Sequence, residues 1–483
     1  MSDANANDAT RTTFTGDFPS ARELLSDLAA GRRSVTGVVG EHLDRIDEVN
    51  PIINAIVSRR DSAEVLADAA RADEVLAAAV AGGSTGELFA EQPLFGLPMA
   101  IKDLADVIGF PTRSGSLVTS DAPVDVDSLF VERLRAAGVI FVGKTNTPEF
   151  GAGSNTFNEV FGATLNPHDP TCTAGGSSGG ASAALASGMV PLADGSDLGG
   201  SLRNPAAFCG VVGLRPSLGR VAHLSDDAAF LIDLPTEGPL ARCAADVGLL
   251  LSVMSGPDRR DPRARHDDPA PLAAPLDRDL GGMKVAWGGD LGLTGDETIL
   301  FEREVLETAH SATTSMSSLG VEVTDAAPDL SGAMECFRTM RAFGFRRLPS
   351  QEDGWRETKK TLLENIEIGL RLSAADVLAA EAIRTRIHHE VIGFFDQFDI
   401  LAMPTTQVAP FPVEVEYPTD IDGVPMKDYL DWMTSCCVIT VTGCPAISVP
   451  AGMSASGLPI GLQLIAAPGN ERVLLEASHA LGW

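Results

Sequence analysis

Lysine is scarce in this 483-residue chain: six lysines stand beside thirty arginines and 66 acidic residues. The net charge of −30 repels both the phosphate backbone of nucleic acid and an anionic membrane surface, so neither is an expected partner. Long apolar runs are missing too, for no uninterrupted stretch reaches the roughly 18 residues that a membrane span needs. The opening MSDANANDATRTTFTGDF is polar and acidic where a secretory signal is basic and then apolar. The seven cysteines form no CxxC pair and no Cys/His ligand spacing, which leaves no metal motif. They read as reduced core residues, and the cytoplasm is the expected location. Internal repeats are absent. The acid excess has two readings, adaptation to high salt or codon bias with a solvated acidic surface.

Forty-four per cent hydrophobic residues supply a large core, and the length alone allows two to four domains of about 100–200 residues. Strand and helix patterns alternate along the whole chain, which favours one α/β unit. The expected architecture is a single large domain, residues 20–483, with a twisted mixed β-sheet covered on both faces by helices, after a disordered leader at 1–19. Ser20 and Glu23 fit a capping box. An alanine-rich helix runs from Ser62 to Ala81, stopped by Gly82 and Gly83. PLFGLPMAIKDLADVIGFPTRSGS reads as a buried strand entering a polar turn, Asp127 as the N-cap of a helix, and Val139–Val142 as another strand. TEGPLAR reads as a turn before a helix, Glu297–Leu319 as one helix, and Val321–Val323 as a strand. Residues 331–395 read as mainly helical, and FDILAMPTT, CPAISVP and GLPIGLQLIA as three strands.

The chemistry is concentrated in Ala174–Arg220, where glycines and serines gather around two Ser-Gly turns. So many glycines in one segment mean tight turns or close approach of backbone to a ligand. Two motif matches nearby mislead. Gly138 to Thr145 spells a phosphate-binding P-loop, yet the four residues inside it are Val139, Ile140, Phe141 and Val142, a strand rather than a loop of N–H groups. Gly176-Ser177-Ser178-Gly179-Gly180 contains a G-x-S-x-G elbow with Ser178 as nucleophile, yet no apolar strand precedes it. None of His223, His388 and His389 makes a compelling base. Serine needs a base to become a nucleophile, and a lysine kept neutral by burial can serve. Lys102 and Lys144 are the two lysines near this segment in apolar contexts. Lys102, by its local sequence, is a snorkelling edge residue, a buried amine or an ion-pair partner of Asp103.

Taken together, GLPMAIKDL, GVIFVGKTNTPEFG, FGATLNP, GGSSGG, DGSDLGGSLRNPAAFCGVVGLRPSLGR, EGPLAR, CPAISVPAG and GLPIGLQLI resemble the amidase signature family from about Ser34 to Leu475. The resemblance implies the family's fold and a Ser-cisSer-Lys triad. Lys102 would be the base, Ser177 the bridging serine after a cis peptide, and Ser201 the nucleophile that carries an acyl-enzyme. It also implies an oxyanion hole from the N–H groups of Leu198, Gly199, Gly200 and Ser201. Ser178, Asp197 and Arg203 would support these loops. The implied activity is hydrolysis of a small-molecule carboxylic acid amide, linear or cyclic (EC 3.5 type), with no cofactor. A homodimer is the assembly expected. The alternatives are the glutaminase subunit of an aminoacyl-tRNA amidotransferase, and a non-catalytic scaffold with the same fold.

The chain departs from the family's pattern at Arg215, commonly lysine, and at Leu198, commonly threonine or glycine. The segments that carry specificity, His223–Leu234, Glu335–Phe345 and Asp431–Cys437, match no substrate class. Ala228, Phe230, Leu231, Phe343, Phe345, Trp432 and Met433 suggest a roomy apolar or aryl-accepting pocket, while core packing accounts for each equally well.

Overall fold

Residues 13–224, 228–231, 233–348 and 358–483 are described by a computed structural model of the chain. The strands are β1 (Ile56–Val57), β2 (Pro98–Lys102), β3 (Ile140–Thr145), β4 (Leu192–Asp197), β5 (Val212–Arg215), β6 (Thr236–Ala241), β7 (Lys284–Trp287), β8 (Glu322–Asp325) and β9 (Ile400–Pro404). A small hairpin, β10 (Asp420–Ile421) with β11 (Val424–Pro425), precedes β12 (Ala446–Met453) and β13 (Pro459–Ile465). All but the hairpin join one sheet of 11 strands in the order β1-β3-β2-β4-β6-β5-β12-β13-β9-β7-β8. Strands from both ends of the chain therefore share one sheet, and the α/β architecture expected from the alternating pattern is the one observed.

The sheet is mixed. β2 runs parallel to both β3 and β4, whereas β4, β6, β5, β12, β13 and β9 alternate in direction, and β9, β7 and β8 are parallel again. Helices bury their apolar faces in two clusters. One gathers Ala21–Ala29, Val35–Ile53, Ser62–Gly82 and Ala244–Met254, and the other gathers Ala333–Phe345, Ala374–Phe395 and Thr434–Thr442.

Local signals were dependable at several helix ends. Ser20 and Glu23 form the capping box, and Gly83, with φ of 69°, closes helix Ser62–Gly82. Four readings are corrected. TEGPLA is strand β6, paired with β4 over its whole length from Asp197↔Thr236 to Leu192↔Ala241. Both strands carry glycine and either proline or aspartate, residues that strands disfavour, so only their mutual pairing reveals them. Ser128, not Asp127, occupies the N-cap of helix Leu129–Ala136, because Asp127 instead accepts from Arg135 Nε at 2.6 Å and from the Ile108 N–H at 2.8 Å. The helix expected over Glu297–Leu319 is an α-helix only from Arg303 to Ser315. The expected leader lies outside the described residues up to residue 12. Beyond it the chain is held, since Phe14 N–H donates to Pro167 O at 2.9 Å and the Phe18 ring lies under the guanidinium groups of Arg45 and Arg242.

Candidate active site

Lys102 is the last residue of β2 and is 1% exposed. Its backbone N–H donates to Asp194 Oδ1 at 3.0 Å, which ties the strand end to β4. The side-chain nitrogen reaches three hydroxyls: Ser177 Oγ at 2.8 Å, Ser178 Oγ at 2.9 Å and Ser196 Oγ at 3.0 Å. Burial pulls its pKa down to about 7, against the opposing pull of Asp194, Asp197 and Glu237. A lysine poised there is half neutral near pH 7 and can take a proton. Asp103 is not its partner, for that carboxylate lies 3.6 Å from Lys144 Nζ.

Ser177 and Ser178 stand in the turn that leads into helix Gly179–Ala186, and the Gly176–Ser177 peptide is cis. The turn can pack this closely only because Gly180 has no side chain: a Cβ there would lie 2.4 Å from the Asn146 nitrogen. Ser178, buried against Lys102, also donates its N–H to Ser201 O at 3.2 Å and so joins the two glycine turns. Ser201 follows β4 in the loop that enters helix Arg203–Cys209. Ser177, Ser196 and Ser201 line one cavity of about 130 Å³.

Asp197 organises the loop that carries Ser201. Its carboxylate accepts from Gly200 N–H at 2.9 Å and Leu202 N–H at 3.1 Å, and it forms a two-point contact with Arg203 Nε (3.0 Å) and Nη2 (2.9 Å). Arg215 donates to the Asp197 backbone carbonyl and lies 3.3 Å from Oδ1. Burial alone would raise the pKa of Asp197, but Arg203 and Arg215 hold it well below the usual carboxylate range. The expected loop-bracing contact of Asp197 with Arg203 is thus present, and the family's lysine position is filled by a second arginine on the same carboxylate. Gly200 adopts φ of 110°, and a Cβ on it would lie 2.6 Å from Cys436 Cβ. Of the four amides expected to form an oxyanion hole, that of Gly200 is already committed to Asp197.

The remaining walls of the cavity are largely apolar: Leu104, Phe150, Phe337, Phe345, Leu430 and Met433, with Arg341 among them. Of the residues expected to form the pocket, Phe345 and Met433 do so. Trp432 is 1% exposed and stacks on Phe208 in the core, while Phe230 and Leu231 face solvent. Ala228 and Phe343 are not among the lining residues. Sequence reasoning missed Ser196, Asp194 and Phe150, and it did not single out Phe337 and Arg341 within the expected specificity segment Glu335–Phe345. For Ser196 and Asp194 the signal was available, because residues two apart on a strand share a face, but DGSD did not read as a strand.

The misleading motifs are resolved by the same geometry. Lys144 lies inside the buried strand β3 and donates to Ala105 O at 2.7 Å, so the P-loop match encloses no phosphate cradle. His388 and His389 are exposed on helix Ala374–Phe395, and His223 binds Glu237 at 2.8 Å. Cys436 and Cys437 pack beneath the Ser201 loop, and burial pushes the Cys436 thiol up to about 12, which disqualifies it as a nucleophile at neutral pH. Among the described residues no cluster of His, Cys, Asp and Glu could hold a metal ion, and no helix is long and apolar enough to cross a membrane.

Comparison with known proteins agrees with this arrangement. A family model described as Amidase matches residues 37–475. An acylamidase of Rhodococcus erythropolis is 36% identical over 464 residues, 95% of this chain and 94% of that protein. One subunit of the glutamyl-tRNA(Gln) amidotransferase of Chloroflexus aurantiacus is 34% identical over 94% of each chain. Among solved structures, a bacterial aryl acylamidase of the amidase signature enzymes superposes with a TM-score of 0.85 at 27% identity, covering 96% of both chains. The 6-aminohexanoate cyclic dimer hydrolase in complex with substrate gives a TM-score of 0.81 at 28% identity, again over 96% of both chains. From its motifs, its sheet and the convergence of its lysine and serines, the chain belongs to the amidase signature family.

Proposed function

We propose that this protein hydrolyses a small-molecule carboxylic acid amide through an acyl-enzyme on Ser201, with Ser177 relaying protons between Ser201 and Lys102. The observation that carries the reading is the buried Lys102 amine, poised near neutrality, 2.8 Å from the Ser177 hydroxyl that shares a cavity with Ser201. Neutral Lys102 accepts the Ser177 proton as Ser177 takes that of Ser201, and Ser201 Oγ attacks the amide carbon. The negative charge that grows on the carbonyl oxygen meets the N–H groups of Leu198, Gly199 and Ser201, donors typically worth about 3–4 kcal/mol each in such sites. Collapse breaks the C–N bond, and the proton held by Lys102 returns through Ser177 to the leaving nitrogen. Water then attacks the ester by the same relay, releasing the acid and restoring Ser201. Every group in this cycle comes from one chain, so a second copy is not needed for chemistry. The seven cysteines are all unbridged, in keeping with a reducing, cytoplasmic setting.

The likeness to the amidotransferase subunit favours one second reading, a glutaminase that feeds ammonia to a partner. Purified protein assayed alone against a panel of acyl amides and against glutamine separates the two. Turnover of acyl amides that disappears in Ser201→Ala supports the first. Hydrolysis of glutamine and no other amide, seen only with an added amidotransferase partner, overturns it.

A further inference from the structure

Arg341 is the single charged residue among those lining the Ser201 cavity. It sits on helix Ala333–Phe345 and is 4% exposed. Four arginines are buried among the described residues: Arg203, Arg215, Arg220 and Arg341. The first two share Asp197, and Arg220 is held by Asp267 and Glu471. Arg341 has no carboxylate within 4.0 Å among the described residues, whereas Arg338, one turn earlier on the same helix, is bound by both Asp428 and Asp431.

A guanidinium keeps its charge in any protein interior, so burying one without an anion is costly. What surrounds Arg341 compensates only in part. Its charge lies 4.2 Å from the centre of the Phe345 ring and 5.3 Å from that of Tyr429, and Nη1 donates to Asn365 Oδ1. Ring faces stabilise the flat side of the cation. They leave the in-plane N–H donors, the edge that matches a carboxylate in two-point geometry. Asn365 and the Tyr429 side chain, which also hydrogen-bonds Arg341, are both uncharged partners. The cavity therefore contains apolar walls, a reactive serine and one cationic edge that the carboxylates of the described residues do not complete.

We infer that the missing anion belongs to the substrate: Arg341 selects amides that carry a carboxylate, joined to the scissile amide by an apolar spacer that lies against Phe337, Phe345, Leu430 and Met433. This deepens the reading of Ser201 as nucleophile and rests on it. Two arrangements share the chemistry, a dicarboxylic acid monoamide with the anion on the acyl side, and an N-acyl amino acid with the anion on the amine side.

The test uses two matched substrate pairs. On the acyl side, glutaryl p-nitroanilide is compared with its neutral isostere 5-methylhexanoyl p-nitroanilide. On the amine side, N-hexanoyl-β-alanine is compared with N-hexanoyl-isopentylamine. Wild type is expected to favour the anionic member of one pair in kcat/KM, and Arg341→Met to reduce that preference about 30-fold, chiefly through KM, as expected for hydrogen bonds to a charged group. Arg341→Lys keeps the charge and should restore part of the preference. The pair that responds tells which side bears the carboxylate. Wild type that prefers the neutral member of both pairs contradicts the inference. So does an Arg341→Met variant that leaves both preferences unchanged while its melting temperature falls, the signature of a packing role. Labelling of wild type by a fluorophosphonate is measured alongside, so that an unreactive Ser201 is distinguished from a wrongly assigned Arg341.

Discussion

Lys102 and Lys144 lie on adjacent parallel strands and are both buried, yet of the two only Lys144 meets a carboxylate of the described residues, Asp103, at 3.6 Å. Ile101 is the residue paired with Lys144, so the two lysines project from opposite faces of the sheet. One face supplies an ion pair and the other supplies three serine hydroxyls. That separation pairs one lysine with a carboxylate and sets the other among hydroxyls, the setting that the proposed proton relay needs.

The pH dependence follows from the sign of the Lys102 shift. Burial lowers its pKa to about 7, and in the proposed cycle the neutral amine is the base. Below that value kcat/KM should fall about tenfold per pH unit, and above it the profile should level off. Lys102→Arg, which remains charged throughout, should be inactive at every pH. A flat profile from about pH 5 to 9 on a slowly hydrolysed anilide would contradict the assignment.

Ser196 is predicted to tune that profile. Its Oγ accepts from Lys102 Nζ at 3.0 Å, so Ser196→Ala removes an acceptor that stabilises the ammonium form. The midpoint of the pH profile should move downward, and kcat should drop by about one order of magnitude, the low end of the range for a group assisting proton transfer. A melting temperature close to that of wild type would show that the change lies in the base and not in the fold.

Asp197→Asn should be among the most damaging single substitutions. It leaves Arg203 and Arg215 buried without their counter-charge, a loss of about 3–5 kcal/mol, readable as a lower urea midpoint at neutral pH. The carboxylate is held below its usual pKa, so its contribution is complete above the unfolded value of about 4. It is lost as the pH falls through the folded value. The difference between wild type and variant should therefore shrink in acid.

A side chain at Gly199 would crowd the Ser201 loop against Phe337 and Cys437. A Cβ there would lie 2.9 Å from Phe337 Cζ and 3.2 Å from Cys437 Sγ. Gly199→Ala should shift the amides that face the reacting carbonyl and lower kcat by about 100-fold, the loss typical of a removed oxyanion donor. A rise in KM with kcat unchanged would place Gly199 in binding instead.

How much of this was legible depended on whether the signal was local. Capping at Ser20 and the stop at Gly83 are set by neighbouring residues and appeared where the sequence put them, and the buried strand expected within PLFGLPMAIKDLADVIGFPTRSGS is there, confined to Pro98–Lys102. The pairing of β4 with β6 was invisible because Gly195 faces Gly238 there, and neither residue marks a strand by itself. Ser196 and Asp194 were missed with it. Lys102 could be narrowed to three readings but not assigned, since its partners lie 75 to 94 positions away in sequence. Family resemblance named two of them, and the sheet explains how they meet. The setting of Arg341 was unreadable for the same reason: burial with no carboxylate of the described residues within 4.0 Å is a property of the folded chain alone.

Which serine becomes acylated is the most direct test of the mechanism. A fluorophosphonate probe incubated with wild type, followed by intact mass and peptide mapping, should place one adduct on Ser201. The adduct should be absent in Ser201→Ala, retained in Ser178→Ala, and formed far more slowly in Lys102→Ala. An adduct on Ser178, or labelling that survives Ser201→Ala, would contradict it.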